Sequence, residues 1–180
     1  MNLSTLLVSA LVLSACHSTG SAPSPQDNPM AVKPGAEHGL LHRMAGKWEA
    51  EVHMEGSAPE KGGAVSSVTL DGLWLETEYK GAMMGSTFAG HDVLGYDTFK
   101  KKYVGCWVDS WSSYMVVSEG SYDAATKTLT MSGDSIDPMS GGVVRMVNVT
   151  KLIDDDHMVF EMHPGGAEAP AAMTIHYTRR

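Results

Sequence analysis

Positive charge is scarce in this chain: 13 lysines and arginines stand against 21 acids in 180 residues, a formal net charge of −8. Nucleic-acid binding needs a cationic face, so nucleic acid is not an expected partner. The one run of three cations, Lys100-Lys101-Lys102, falls in a turn segment and reads as solvated charge. Cysteine is scarce too. With only Cys16 and Cys106, no intramolecular disulfide remains if either is consumed elsewhere. Long apolar runs are missing: residues 3–15, LSTLLVSALVLSA, fall short of the ~20 residues that a membrane-crossing helix needs. Catalytic fingerprints are missing as well. The chain has no Gly-x-Ser-x-Gly elbow, no phosphate-binding loop and no dinucleotide fingerprint. Asp154-Asp155-Asp156 reads as a solvated turn, not a pair of catalytic acids.

The short apolar run does suit the hydrophobic region of a signal peptide, although residues 1–12 carry no lysine or arginine. It ends Leu13-Ser14-Ala15-Cys16, which resembles the lipobox of bacterial lipoproteins. The resemblance implies a signal peptide over 1–15, cleavage before Cys16 and a membrane anchor on that residue, stable if two or more acyl chains are attached. His17 follows instead of aspartate, which in Gram-negative sorting resembles delivery to the outer membrane, facing the periplasm. Residues 17–36 are rich in Ser, Pro, Ala and Gly. They bury too little surface to offset ordering entropy, so 16–36 is expected to be the lipidated cysteine and a tether, and 37–180 the folded domain.

From Trp48 the apolar period is two. Trp48, Ala50, Val52 and Met54 share one face while Glu49, Glu51, His53 and Glu55 share the other. The same alternation recurs at 73–80, 157–163 and 173–178, with turn signals between. It predicts nine or ten strands, about 47–55, 64–71, 73–80, 91–96, 102–109, 114–122, 127–132, 143–153, 157–163 and 171–178, after one short helix at 36–45. Two segments repeat Tyr-Asp with a lysine four positions beyond the aspartate, at 96–101 and 122–127. An all-β, up-and-down antiparallel barrel hides its dry face and removes sheet edges. A two-sheet sandwich is the alternative.

Gly46-Lys47-Trp48 resembles the Gly-x-Trp signature of lipocalins and other calycin barrels. That resemblance implies that Trp48 plugs the closed end, with Arg179 or Arg180 over its ring and Gly46 admitting the helix. The stretches EHGLLHRMAGKWEAEV, LDGLWLETEYKG, LGYDTFKKKYVGCWVDS, YDAATKTLTMSG and KLIDDDHMVFEM resemble a bacterial calycin-like family catalogued as a domain of unknown function, the DUF 1579 family. Residues 64–70, AVSSVTL, depart from it in lacking a second-strand arginine that many relatives carry. The resemblance implies a fold and little chemistry.

The candidate chemistry is thin. His38 and His42 have a spacing that can place two ligands on one metal, but a polar helix edge is the plainer reading, and no metal or cofactor is expected. His53, His157, His163 and His176 fall on the wet face, while His91 opens a predicted strand and could line the rim. The methionines alternate with strand period and read as core filler, or equally as a soft lining for an apolar ligand. Cys106 reads as a buried inert thiol. If Tyr103, Gly105, Trp107 and Asp109 face inward, the lumen holds aromatics beside one carboxylate, suited to an amine-bearing or hydroxylated apolar ligand. Three functions follow. The first is a ligand-binding envelope lipoprotein whose lining includes Tyr79, Tyr96, Trp107, Asp109, Met131, Met158, Phe160, Met162 and Met173. The second is a small enzyme using His38, His91 and Asp109 at the barrel mouth. The third is a structural envelope protein with a filled barrel.

Overall fold

The computed structural model describes residues 30–137 and 139–180; the signal segment and Cys16 lie outside the described residues. Val32–Arg180 form one compact unit. A 3-10 turn at Ala36–His38 leads into a short helix, α1 (Gly39–Met44), followed by ten strands. These are β1 (Gly46–Met54), β2 (Glu60–Thr69), β3 (Trp74–Met83), β4 (Ser86–Asp97), β5 (Lys102–Asp109), β6 (Val116–Asp123), β7 (Thr128–Ile136), β8 (Val143–Leu152), β9 (His157–Pro164) and β10 (Met173–Arg179). Each strand pairs antiparallel with its sequence neighbour, and β10 returns to β1, which closes the barrel. Closure excludes the two-sheet sandwich. No helix among the described residues is long and apolar enough to cross a membrane.

The meander follows from alternation and from turn chemistry. Asp97 Oδ1 accepts the N–H groups of Phe99 and Lys100, and Lys101 is left-handed at φ 54°. Asp123 Oδ1 accepts the Ala125 N–H, its Oδ2 accepts from Thr126 Oγ1, and Lys127 is left-handed at φ 54°. The repeated Tyr-Asp…Lys segments are thus one turn used twice. Both lie at the end of the barrel that carries α1. The connections 55–59, 84–85, 110–115 and 165–172 lie at the opposite end.

Two strands begin earlier than expected, β2 at Glu60 and β4 at Ser86. Their leading glycines resemble turn punctuation in the sequence but are extended wall positions in the fold. Gly62 pairs with Ala50 and Gly81, and Gly90 pairs with Tyr79 and Asp109.

The helix end is solid. Leu40 and Leu41 enter a cluster with Leu75, Leu94, Tyr103, Leu129, Met131 and Leu152, and Leu41 is fully buried. The Trp48 indole N–H donates to Met44 O at 3.0 Å. The Arg179 guanidinium lies 4.1 Å from the Trp48 ring centroid. It also donates through Nη2 to Arg43 O (2.9 Å), through Nη1 to Ala45 O (2.7 Å) and through Nε to Asp155 O (2.7 Å). Carbonyls at a helix C-terminus lack intrahelical partners, so one side chain caps α1 and covers the indole together. Gly46 has φ 142°, and a side chain there would run into the Arg179 guanidinium. Only glycine fits that position.

Candidate functional site: the barrel lumen

Register fixes which side chains face inward. One wall runs Ser66, Thr77, Asp92, Trp107 and Val116 across β2 to β6. The facing wall has two rows. Met131, Asn148, Met162, Met173 and Met54 form one, and Leu129, Thr150, Phe160, Ile175 and Val52 form the other. The two walls are built differently. The first has inward glycines against which large rings lie flat: the Trp107 ring crosses Gly90, and the Tyr79 hydroxyl packs over Gly62 and Gly81. The second is aliphatic and thioether surface.

Several inward side chains in the body of the barrel are only half-buried: Thr77, Asp92, Trp107, Asn148, Phe160, Met162, Met173 and Tyr177. Of these, Trp107, Phe160, Met173 and Tyr177 pack against the buried cluster of Trp48, Val52, Tyr79, Phe88, Met158 and Ile175.

Three carboxyls share the inward register among the described residues. Glu60 accepts the N–H groups of Met84 and Gly85, both at 2.6 Å. Asp109 accepts the Trp107 indole N–H at 2.9 Å on Oδ2, and the N–H groups of Trp111 and Ser112 on Oδ1. Asp109 therefore faces the lumen but is occupied in fixing Trp107 and the 110–112 turn. The third, Asp92, has no hydrogen-bond partner among the described residues, and burial pushes its carboxyl up to about 7. Tyr177 is raised by burial first, then by the nearby charges of Tyr79 and Asp92. Tyr79 is raised by burial and then by Glu60, and its buried hydroxyl lacks a partner. Asn148 Oδ1 on the facing wall is likewise buried and unpartnered.

The residues expected to line a ligand site divide between two clusters. Tyr79, Trp107, Met158, Phe160 and Met173 belong to the group that also holds Phe88, Ile175 and Tyr177. Tyr96 and Met131 pack instead with the helix-end leucines. Met162 stands between Asn148 and Met173. Asp92 escapes a sequence reading that opens the strand at 91, because the dry parity runs back through Phe88 and Gly90. An acid on the dry parity was the available signal.

Other expectations are corrected. His38, His91 and Asp109 do not converge. His38 is buried at the helix end, its Nδ1 accepting the Gly35 N–H at 2.9 Å. His91 is exposed in mid-β4 on the outer face, next to Val108 in register, so it does not line the rim. Asp109 lies on the inward face at the end away from α1. His42 is exposed while His38 is buried, and no group of metal-ligating side chains forms among the described residues. His163 is on the outer parity as expected, yet it is buried, with Nδ1 2.7 Å from Ala169 O of the β9–β10 connection that covers it. Cys106 is half-buried, not buried, because its β5 face is the outer one. Met84, Met115 and Met139 are exposed and are not core filler.

A cleft of about 360 Å³ opens beside α1, lined by Glu37, Leu40, Tyr96, Tyr103 and Tyr122. Two of its phenols are already paired. The Tyr103 hydroxyl donates to Glu37 O at 2.7 Å, and Tyr122 Oη accepts from Arg43. Burial, with Glu37, Tyr96 and Tyr122 nearby, pushes Tyr103 up to about 12. The buried unpartnered polar atoms lie in the barrel instead.

Comparison with known proteins gives a family match over residues 33–179, to a model described as a protein of unknown function, DUF1579. No curated protein matches. Several solved structures resemble the chain. A redesigned beta barrel has a TM-score of 0.42 at 13% identity, covering 78% of this chain and 95% of that one. An S-type phycobiliprotein lyase from Guillardia theta has a TM-score of 0.48 at 10% identity, covering 80% of this chain and 92% of that one.

Proposed function

The chain belongs to the DUF1579 family, and from that premise we propose that it is a binding protein whose barrel takes a small hydrophobic or amphipathic molecule. The carrying observation is the half-buried apolar surface of Trp107, Phe160, Met162 and Met173, which faces inward in a closed barrel. A filled structural barrel would bury these side chains against one another, as the helix end does with its leucines. The thioethers and rings supply adaptable, polarisable contact, and the orphan polar atoms orient a bound molecule. In this reading the protein is lipidated on Cys16 and held at the bacterial cell envelope, on the periplasmic side of the outer membrane.

Titration of full-length protein with the neutral fluorophore N-phenyl-1-naphthylamine tests the lumen. Saturable binding of one equivalent, displaced by long-chain alcohols, is the expected result. Absence of saturable binding across a panel of lipids, pigments and haem ends the reading. For the anchor, radiolabelled palmitate is expected to mark the wild-type chain and not Cys16→Ser; equal labelling of both removes the lipoprotein assignment.

A further inference from the structure

The lumen has a polarity that its apolar lining conceals. Its inward carboxyls are Glu60, Asp92 and Asp109, and two of the three are consumed by backbone amides and an indole. The inward cation is Arg179, which is spent on Trp48 and on the carbonyls of Arg43, Ala45 and Asp155. Among the described residues, a carboxylate or phosphate entering this barrel would meet an unpaired acid and no free inward cation. A carboxyl left without a partner in a low-dielectric interior is costly unless something neutralises it.

The surroundings of Asp92 are those of a cation site. Trp107 stands directly across from it in register, with its ring laid over Gly90 and stacked on Phe88 at 6.3 Å. The Tyr177 phenol is close enough to feel the charge of Asp92. An aromatic ring beside a carboxylate and a phenol oxygen is the chemistry that holds an ammonium group.

We infer that Asp92 anchors the head group of the ligand, and that the ligand class is an amphiphile carrying a basic amine. Its ammonium pairs with the Asp92 carboxylate beside Trp107 and Tyr177, and its tail lies against Phe160 and Met162. This rests on the lumen-binding reading above and narrows it to one chemistry.

The test compares three probes of equal chain length by calorimetry on full-length protein at pH 8: decylamine, decan-1-ol and decanoate. The expected order is amine tightest, at least tenfold over the alcohol, with decanoate weakest. Asp92→Asn is expected to lose at least tenfold in decylamine affinity and to keep decanol affinity within about twofold. Decanoate binding as tightly as decylamine, or an Asp92→Asn protein that holds the amine like wild type, overturns the inference. Should Asp92→Asn fail to fold, the wild-type ratio of amine to carboxylate decides alone. Decanol binding without amine preference sinks this inference and leaves the lumen reading standing; failure of all three probes sinks both.

Discussion

The two ends of this barrel use the same residue types to opposite effect. Around α1 the plug and its neighbours are spent. Leu41 is fully buried, the Trp48 indole is hydrogen-bonded, and Arg179 serves three carbonyls while covering a ring. Above that floor, Phe160, Met162 and Trp107 are inward yet half-buried, and the polar atoms of Tyr79 and Asn148 lack partners. Both ends contribute a buried cluster, but the orphan polar atoms of Tyr79 and Asn148 lie in the body of the barrel. In the proposed reading, that division separates being folded from being occupied.

The largest effect is expected where packing is complete. Leu41→Ala removes a side chain with no exposed surface and should cost about 2–5 kcal/mol in urea unfolding. A loss under 1 kcal/mol would mean that the floor is no better packed than the lumen.

Asp92 comes next, through pH. Its carboxyl rises from 3.8 to about 7 on burial, so between those values the folded protein keeps a proton that the unfolded chain has lost. The contribution of Asp92 to stability therefore falls as pH rises from about 4 to about 7 and levels off above. The shift corresponds to roughly 3 kcal/mol after discounting for the accessible lumen. Asp92→Asn should flatten that slope in thermal melts between pH 5 and pH 8, and an unchanged slope would assign the effect to another group.

Gly46→Ala strains a position at φ 142° against Arg179 and should cost about 1–3 kcal/mol, with no change in probe affinity. A changed affinity at unchanged stability would erase the boundary between floor and lumen. Met162→Ala should invert that outcome: about 1 kcal/mol or less in stability, because the side chain is half-buried, but weaker uptake of decanol.

The smallest effect is expected from Tyr79→Phe. Deleting a buried hydroxyl that bonds to nothing should leave stability within about 1 kcal/mol of wild type, shifted towards greater stability. A clear destabilisation would reveal a partner for that hydroxyl.

Much of this architecture is legible in the chain itself. A period of two sets strand parity, and parity alone places Trp48, Ala50, Val52, Met158 and Ile175 inside. The two Tyr-Asp…Lys turns announce themselves because an aspartate side chain accepts nearby amides wherever it occurs. The site was harder to read. Glycine signals a turn to a local reading, but Gly90 is a wall position that accommodates the Trp107 ring, and that misreading hid Asp92. Parity does place Asp109 inside, but it does not reveal that its oxygens belong to an indole and a tight turn. His163 shows the same limit: its outward parity is legible, while its burial depends on a connecting segment with no periodicity of its own.

The seam between β1 and β10 carries a kinetic consequence. Glu49 and Arg180, joined across that seam, are separated by 131 positions. Closing a loop of that length has an entropic cost of roughly 4 kcal/mol. The other pairings join sequence neighbours and can zip from hairpin to hairpin, whereas this one must wait for both flanks. Docking of the last strand onto the first is therefore expected to be the slowest pairing. A circular permutant that fuses these two strands and opens the chain at another hairpin would make the slowest contact a local one.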